Sequence, residues 1–293
     1  MLRPVDTRVP SAVEKLVHSI YRRRFPDGEV AFVPRAFHWA SQAFAGHYGD
    51  YQPIDAAYHD FEHTLQGTLC LTHLLEGRAR ARATPELTAH MFELALLAIL
   101  FHDTGYLKKK NDRDGTGAKY TPIHVMRSVG FAGEFLGQQG YATSDILAVQ
   151  NMIRCTGVNA DLQSIPFQSP LEKTLGFALA TADLLGQMAA EDYVEKLPVL
   201  YQEFAEAARY KSENSTNAAR LAAFSSAEDL MRKTPGFWEG YVLPRINGDF
   251  CQLYRYLSDP YPDGPNHYLQ KIEERIAQLR QRIGSSETQA KKE

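Results

Sequence analysis

Cysteine is scarce in this chain: Cys70, Cys155 and Cys251 are the three among 293 residues. An odd number at wide spacing argues against a disulfide framework. None of the three forms the short pair of a zinc–thiolate site, so any chemistry rests on other side chains. Long apolar runs are missing too. The most apolar stretch, Leu94 to Phe101, is much too short for a bilayer core of roughly 30 Å. The opening MLRPVDTRVPSAVEKL lacks the apolar centre of a signal peptide, so the expectation is a cytoplasmic protein with no membrane partner. Positive charge is not in excess either. A net charge of −3 disfavours binding to a nucleic-acid polymer, which needs many cationic contacts to phosphates. One small anionic substrate remains compatible. Finally, no alternating β-branched run is long enough to nominate a sheet.

What the chain does have is helical periodicity. Apolar residues recur at three- and four-residue intervals near 11–25, 35–48, 60–78, 85–103, 121–138, 143–155, 171–189, 192–211, 216–232, 236–258 and 265–283. Thr84-Pro85-Glu86, Thr121-Pro122 and Ser169-Pro170 read as helix starts, with a cap residue before proline. Gly140 and Gly157 read as helix stops. The pattern predicts an all-α fold and a single helical domain over 1–293. Two polar, glycine-bearing stretches, 107–120 and 156–170, read as loops available for substrate contacts. The lysines at 108, 109 and 110 read as solvating the first of them.

Three segments carry residues suited to chemistry. In Tyr58-His59-Asp60-Phe61-Glu62-His63, two histidines four apart share one face of a starting helix. In Leu96 to Tyr106, LLAILFHDTGY, a wholly apolar helix ends in His102-Asp103, which delivers a carboxylate and an imidazole to the interior. A buried carboxylate needs a counter-charge, and a divalent cation supplies one. In Leu175 to Met188, Asp183 is the lone charge on a helix apolar almost all round. Each segment alone has an ordinary alternative: a capping pair, a hydrogen-bonded His–Asp pair or ion pair to a nearby lysine, and an aspartate paired with arginine. The histidines at 18, 38, 47, 73, 90 and 267 have no partner motif and read as structural.

Taken together, histidine, then His-Asp, then aspartate on three successive helical segments resembles the HD-domain phosphohydrolases over approximately residues 55–190. The likeness is closest to the cyclic-nucleotide phosphodiesterase branch. That branch has a Tyr-His-Asn segment with a second histidine four residues after the first, here Tyr58-His59-Asp60 and His63. Its aspartate motif resembles Thr181-Ala182-Asp183-Leu184, followed about twenty residues on by Glu203-Phe204. The resemblance implies a compact multi-helix bundle in which helices of about 191–285 complete the pocket. It implies His63, His102, Asp103 and Asp183 as metal ligands, His59 as general acid, and Asp103 as a further catalytic group. Where the phosphodiesterases continue with His-Pro-Gly, this chain has Tyr106-Leu107-Lys108. Where they place a base-reading glutamine before Gly-Phe, it has Thr234 before Gly236-Phe237, so Thr234 and Phe237 are the base-pocket candidates. Of the two further histidines found in multi-metal HD proteins, only His124 has a counterpart.

Those residues set the expectations. Four ligands suit one tight divalent cation, zinc, iron, manganese or magnesium, with His124 available to a second, weak one. Lys119, Arg127 and His124 are the candidate contacts to phosphate. The expected activity is hydrolysis of a phosphoester by metal-activated water, most simply a cyclic nucleotide or related small phosphodiester. A monoester or nucleoside-triphosphate hydrolase and a non-catalytic metal-containing sensor module are the alternatives. The partner is a small phosphorylated substrate, and a homodimer is compatible with the pattern.

Overall fold

The computed structural model describes residues 5–210 and 224–290 and is all-helical, with no strand among them. The helices are α1 (Pro10–Arg24), α2 (Phe32–Phe44), α3 (Phe61–Arg80), α4 (Ala89–Phe101), α5 (His124–Gln138), α6 (Thr143–Arg154), α7 (Pro170–Met188), α8 (Tyr193–Arg209), α9 (Ala227–Phe237) and α10 (His267–Ala290). No helix among the described residues is long and apolar enough to cross a membrane.

The apolar segment that the sequence marks as interior is the axis of the bundle. In α4, Phe92 and every residue from Leu94 to Phe101 are buried, and α2, α3, α6 and α7 pack around it. Each large apolar side chain fully withdrawn from water contributes about 1.5–3 kcal/mol, so this helix is where burial is most concentrated. The most extensive helix pairing among the described residues joins α3 to α7, and two glycines permit it. A Cβ on Gly186 would meet the Gln66 carbonyl oxygen at 2.7 Å, and one on Gly67 would meet Ile99 Cδ1 at 3.2 Å. Without side chains there, the two backbones approach closely beside α4.

Helix ends follow local chemistry. Ser169 Oγ accepts from the Glu172 N–H (3.1 Å) ahead of Pro170, as its sequence predicts. Gly140 takes a φ of +79° just beyond α5, the left-handed stop that glycine allows. Two expected starts are displaced. Thr88, not Thr84, caps α4 by accepting from Met91 N–H, while the Pro85 carbonyl is taken by Arg78 Nη2. Thr121 Oγ1 donates to the Ala118 carbonyl (2.6 Å) and so closes the preceding turn; α5 begins at His124 instead.

The expected helix over 236–258 is broken. Pro235 and Pro244 each remove an N–H donor, and the chain runs through two wide π-type turns, Trp238–Val242 and Arg245–Asp249. Cys251 and Gln252 then take φ of 54° and 57°, which no helix accommodates, before a tight turn at Leu253–Leu257. The expected helix over 216–232 lies partly outside the described residues; its described part enters α9, which extends to Phe237.

Candidate metal centre

The centre is assembled from the start of α3, the end of α4 and the later part of α7. Asp60 caps α3 by accepting the His63 N–H (2.9 Å), which fixes His63 in the first turn with its ring turned inward. His102 closes the C-terminal end of α4, and Asp103 follows it into a short turn, Thr104–Tyr106. Asp183 stands on α7 one turn before Gly186, so the close α3–α7 approach brings it to the same point.

Four atoms converge. His63 Nε2 lies 3.2 Å from Asp103 Oδ2 and 3.3 Å from Asp183 Oδ1. His102 Nε2 lies 3.3 Å and 3.4 Å from the same two oxygens. A cation about 2.0–2.2 Å from nitrogen and oxygen ligands sets neighbouring ligand atoms about 2.8–3.6 Å apart, so these separations are those of ligands around a common centre. His102 Nδ1 donates to the Ile99 carbonyl (2.7 Å), which leaves Nε2 as the free nitrogen of the neutral ring. That Nε2 and Asp103 Oδ2 are both sealed from solvent without a hydrogen-bond partner. Buried and facing a shared point, His63, His102 and Asp103 form a group that could hold a metal ion.

Electrostatics give the same result. Burial works against charge on both imidazoles, yet the carboxylates of Asp103 and Asp183 outweigh it, pushing His63 up to about 10 and raising His102. Burial likewise disfavours charge on the two aspartates, and the imidazoles overcome it and hold both below the usual carboxylate range. The cluster therefore demands positive charge, from protons or from a cation.

Beside this ring stands a second layer. His59 Nδ1 meets Glu203 Oε2 at 2.6 Å, and Glu203 Oε1 accepts the Tyr58 N–H at 2.7 Å. Burial raises Glu203, but the adjoining His59 and these N–H groups bring its carboxyl below the ordinary value. The His59 ring is stacked on Tyr106, and Tyr106 on His124. His124 donates from Nδ1 to the Thr121 carbonyl (2.7 Å) and turns Nε2 towards Asp103 Oδ1, 3.8 Å away. Asp103 thus offers one oxygen to the ring of four and the other to His124.

His59, His63, His102, Asp103, Asp183 and His124 are accordingly brought together. The cations and the base-pocket candidates are employed elsewhere. Lys119 is tied to Asp112 Oδ1 (2.5 Å) and the Asp114 carbonyl. Arg127 donates to the carbonyls of Gly105 (2.6 Å) and Leu107 (2.7 Å) and lies over the Tyr120 ring, 3.5 Å from its centroid. Lys108 does not solvate a loop: it is buried against Asp55 (3.0 Å) and the Gly115 carbonyl. Residues 107–120 are pinned further by Gln52 and by Glu206, which accepts Thr116 N–H and Oγ1–H. Thr234 is buried and bonds back to the Leu230 carbonyl within α9, and Phe237 is exposed against Tyr241. That helix packs on α8 and α10 rather than on the helices that carry the ligand set. Sequence reasoning left Tyr106 and Glu203 out of the site. A Glu-Phe pair twenty residues after Asp183 was the available signal for Glu203; for Tyr106 there was only its place three residues after Asp103.

Fold and site define an all-helical protein with a buried histidine–aspartate group suited to a metal ion. The chain belongs to the Npun_R2479-like family, whose model matches residues 109–258, half of its length. The matched residues include His124, Asp183 and Glu203 and leave His59, His63, His102 and Asp103 outside. Among curated proteins, none matches this chain.

Proposed function

We propose that this chain is a metal-dependent phosphohydrolase of the HD-domain type, acting on a phosphoester, with a cyclic nucleotide or related small phosphodiester as the best-fitting substrate class. The observation that carries the reading is the ring of four ligand atoms, three from the buried His63, His102 and Asp103 and one from the partly buried Asp183, with a carboxylate-held histidine beside it. His63 and His102 through Nε2, Asp103 through Oδ2 and Asp183 through Oδ1 would hold a divalent cation, and this donor set suits zinc, iron, manganese or magnesium. When bound, the cation supplies Lewis acidity that makes water acidic near neutral pH and offsets charge on phosphoryl oxygens.

The chain's own residues would do the rest. Glu203 fixes His59 through Nδ1, so Nε2 is the atom from which a proton passes to the departing alkoxide. Asp103 would orient the attacking water. His124, at 3.8 Å from Asp103 Oδ1, supports at most a weak second cation site. Two aspartates and one divalent cation sum to zero charge. Lys108, Lys119 and Arg127 are bound to other groups, which favours a singly charged diester over a triphosphate.

The test is a screen of the metal-loaded chain against cyclic nucleotides, linear nucleotides and generic phosphodiesters, with Asp183→Ala as the blank. Hydrolysis that disappears in the variant is the expected result. Preference for triphosphates or monoesters would move the assignment to a nucleotide phosphohydrolase. No hydrolysis of any phosphoester in metal-replete buffer would leave a metal-holding sensor module.

A further inference from the structure

Glu203 holds the His59 imidazole by a single hydrogen bond, at Nδ1. That bond and the covalent tether at Cγ leave the tilt of the ring to its neighbours; Tyr58 and His63 meet it edge-on, at 5.0 Å and 5.2 Å between centroids, and neither covers its face. A second constraint must set the plane of the ring. The aromatic neighbours supply a candidate. The Tyr106 ring lies 4.4 Å from that of His59, centroid to centroid, with 12° between their planes. On its other side His124 lies 4.7 Å from Tyr106 at 22°. The far end of this stack is anchored: His124 is bonded through Nδ1 to the Thr121 carbonyl, and a Cβ on Gly105 would meet the His124 carbonyl oxygen at 1.9 Å. Tyr106 is anchored as well, its N–H donating to the Asp103 carbonyl at 3.1 Å and its ring wholly buried.

We propose that the flat face of Tyr106, stacked between His59 and His124, is the positioning element that sets the orientation of the His59 imidazole. This rests on the reading of His59 as the proton donor and adds to it the residue that aims the donor. The hydroxyl is not the working part. It is sealed from solvent beside the Thr121 side chain, whereas the flat face of the ring is what meets the two histidines. Stacked rings of this kind favour one orientation by roughly two- to tenfold beyond burial. Misplacement of a reacting group by about 1 Å lowers turnover on the order of a hundredfold.

The discriminating pair is Tyr106→Phe, which keeps the flat face, and Tyr106→Leu, which keeps an apolar side chain without it. Full-length manganese-loaded protein is assayed on bis(p-nitrophenyl) phosphate, with His59→Ala in parallel. Bound manganese and thermal melting are measured on every variant, and Tyr106→Met stands in if Tyr106→Leu does not fold. Tyr106→Phe should keep kcat, KM and metal content within about twofold, whereas Tyr106→Leu should lose ~10–100-fold in kcat with KM and metal content unchanged. In proton NMR of the same variants loaded with diamagnetic zinc, the His59 Nδ1–H bonded to Glu203 should persist in Tyr106→Phe and exchange away in Tyr106→Leu. Native kcat in Tyr106→Leu would overturn the proposal. A fall in Tyr106→Phe as deep as in Tyr106→Leu would also overturn it by assigning the role to the hydroxyl. Native kcat in His59→Ala would instead refute the proton-donor reading; Tyr106 is then judged by the NMR signal alone, whose persistence in Tyr106→Leu overturns the positioning role.

Discussion

Asp103 carries more of the centre than any other residue. Its Oδ2 closes the ring with both imidazoles, its Oδ1 faces His124, and almost none of it reaches solvent. Asp103→Ala removes a ligand and leaves His63 and His102 facing only Asp183. The expected outcome is loss of bound metal by elemental analysis together with loss of turnover. His59 makes no close approach to the ring oxygens, so His59→Ala should separate the two readouts. Metal content stays at the native level while kcat drops ~10²–10⁴-fold, the range that general acid assistance supplies; retention of full turnover would refute the assigned role. At this scale the sequence was informative where one residue contradicts its neighbours. His102 and Asp103 end a helix apolar on every side, and Asp183 interrupts another. It was uninformative where a residue's role depends on what folds against it. Lys108, Lys119 and Arg127 sit in a polar stretch that looks free in one dimension, yet they bind Asp55, Asp112 and two carbonyls that only the fold brings near.

Among the helices, the joint between α3 and α7 decides whether His63 and Asp183 meet. Gly186→Ala would put a Cβ against the Gln66 carbonyl, a backbone atom that cannot rotate away. The two helices must part by several tenths of an ångström, with a destabilisation of about 1–3 kcal/mol and weaker metal binding, since Asp183 lies one turn away. Denaturant melts and metal titration on the same variant check both. A second joint is pH-dependent. His73 on α3 meets the Tyr268 hydroxyl on α10 at 2.9 Å, and burial pushes its imidazole down to about 4. The unfolded histidine, near 6.5, takes up a proton first as pH falls. Stability is therefore complete above about pH 6.5 and is lost progressively as pH drops towards 4, by on the order of 3 kcal/mol. Substituting His73 by Gln should flatten that part of the stability–pH curve. Helix positions were largely legible because burial imposes the 3.6-residue period, and Ser169 and Gly140 mark their ends by chemistry local to them. The stretch 236–258 was not: its apolar spacing fits a helix, while Pro235, Pro244 and the left-handed Cys251 and Gln252 break it.

For the molecule as a whole, the charge demand at the centre links metal binding to stability. Without an ion, the ring of two aspartates and two imidazoles is balanced by protons, and the one on His63 is held up to about pH 10. An ion that binds the folded chain alone stabilises it by about 4 kcal/mol at a thousandfold excess over Kd, which for a chain of this size corresponds to roughly 10 °C in Tm. The ion must displace the protons held by His63 and His102, so rising pH eases that competition. The Tm increase on adding manganese or zinc should consequently be larger at pH 8 than at pH 6, and absent in Asp183→Ala at both. Differential scanning calorimetry at fixed free metal reads this directly. An increase that is equal at the two pH values would mean that the ion binds away from His63, and the centre described here would lose its ligand set. Because the four ligands arise from α3, the end of α4 and α7, the same experiment also reports on the fold: only a chain with these three helices docked can give a pH-dependent, Asp183-dependent shift.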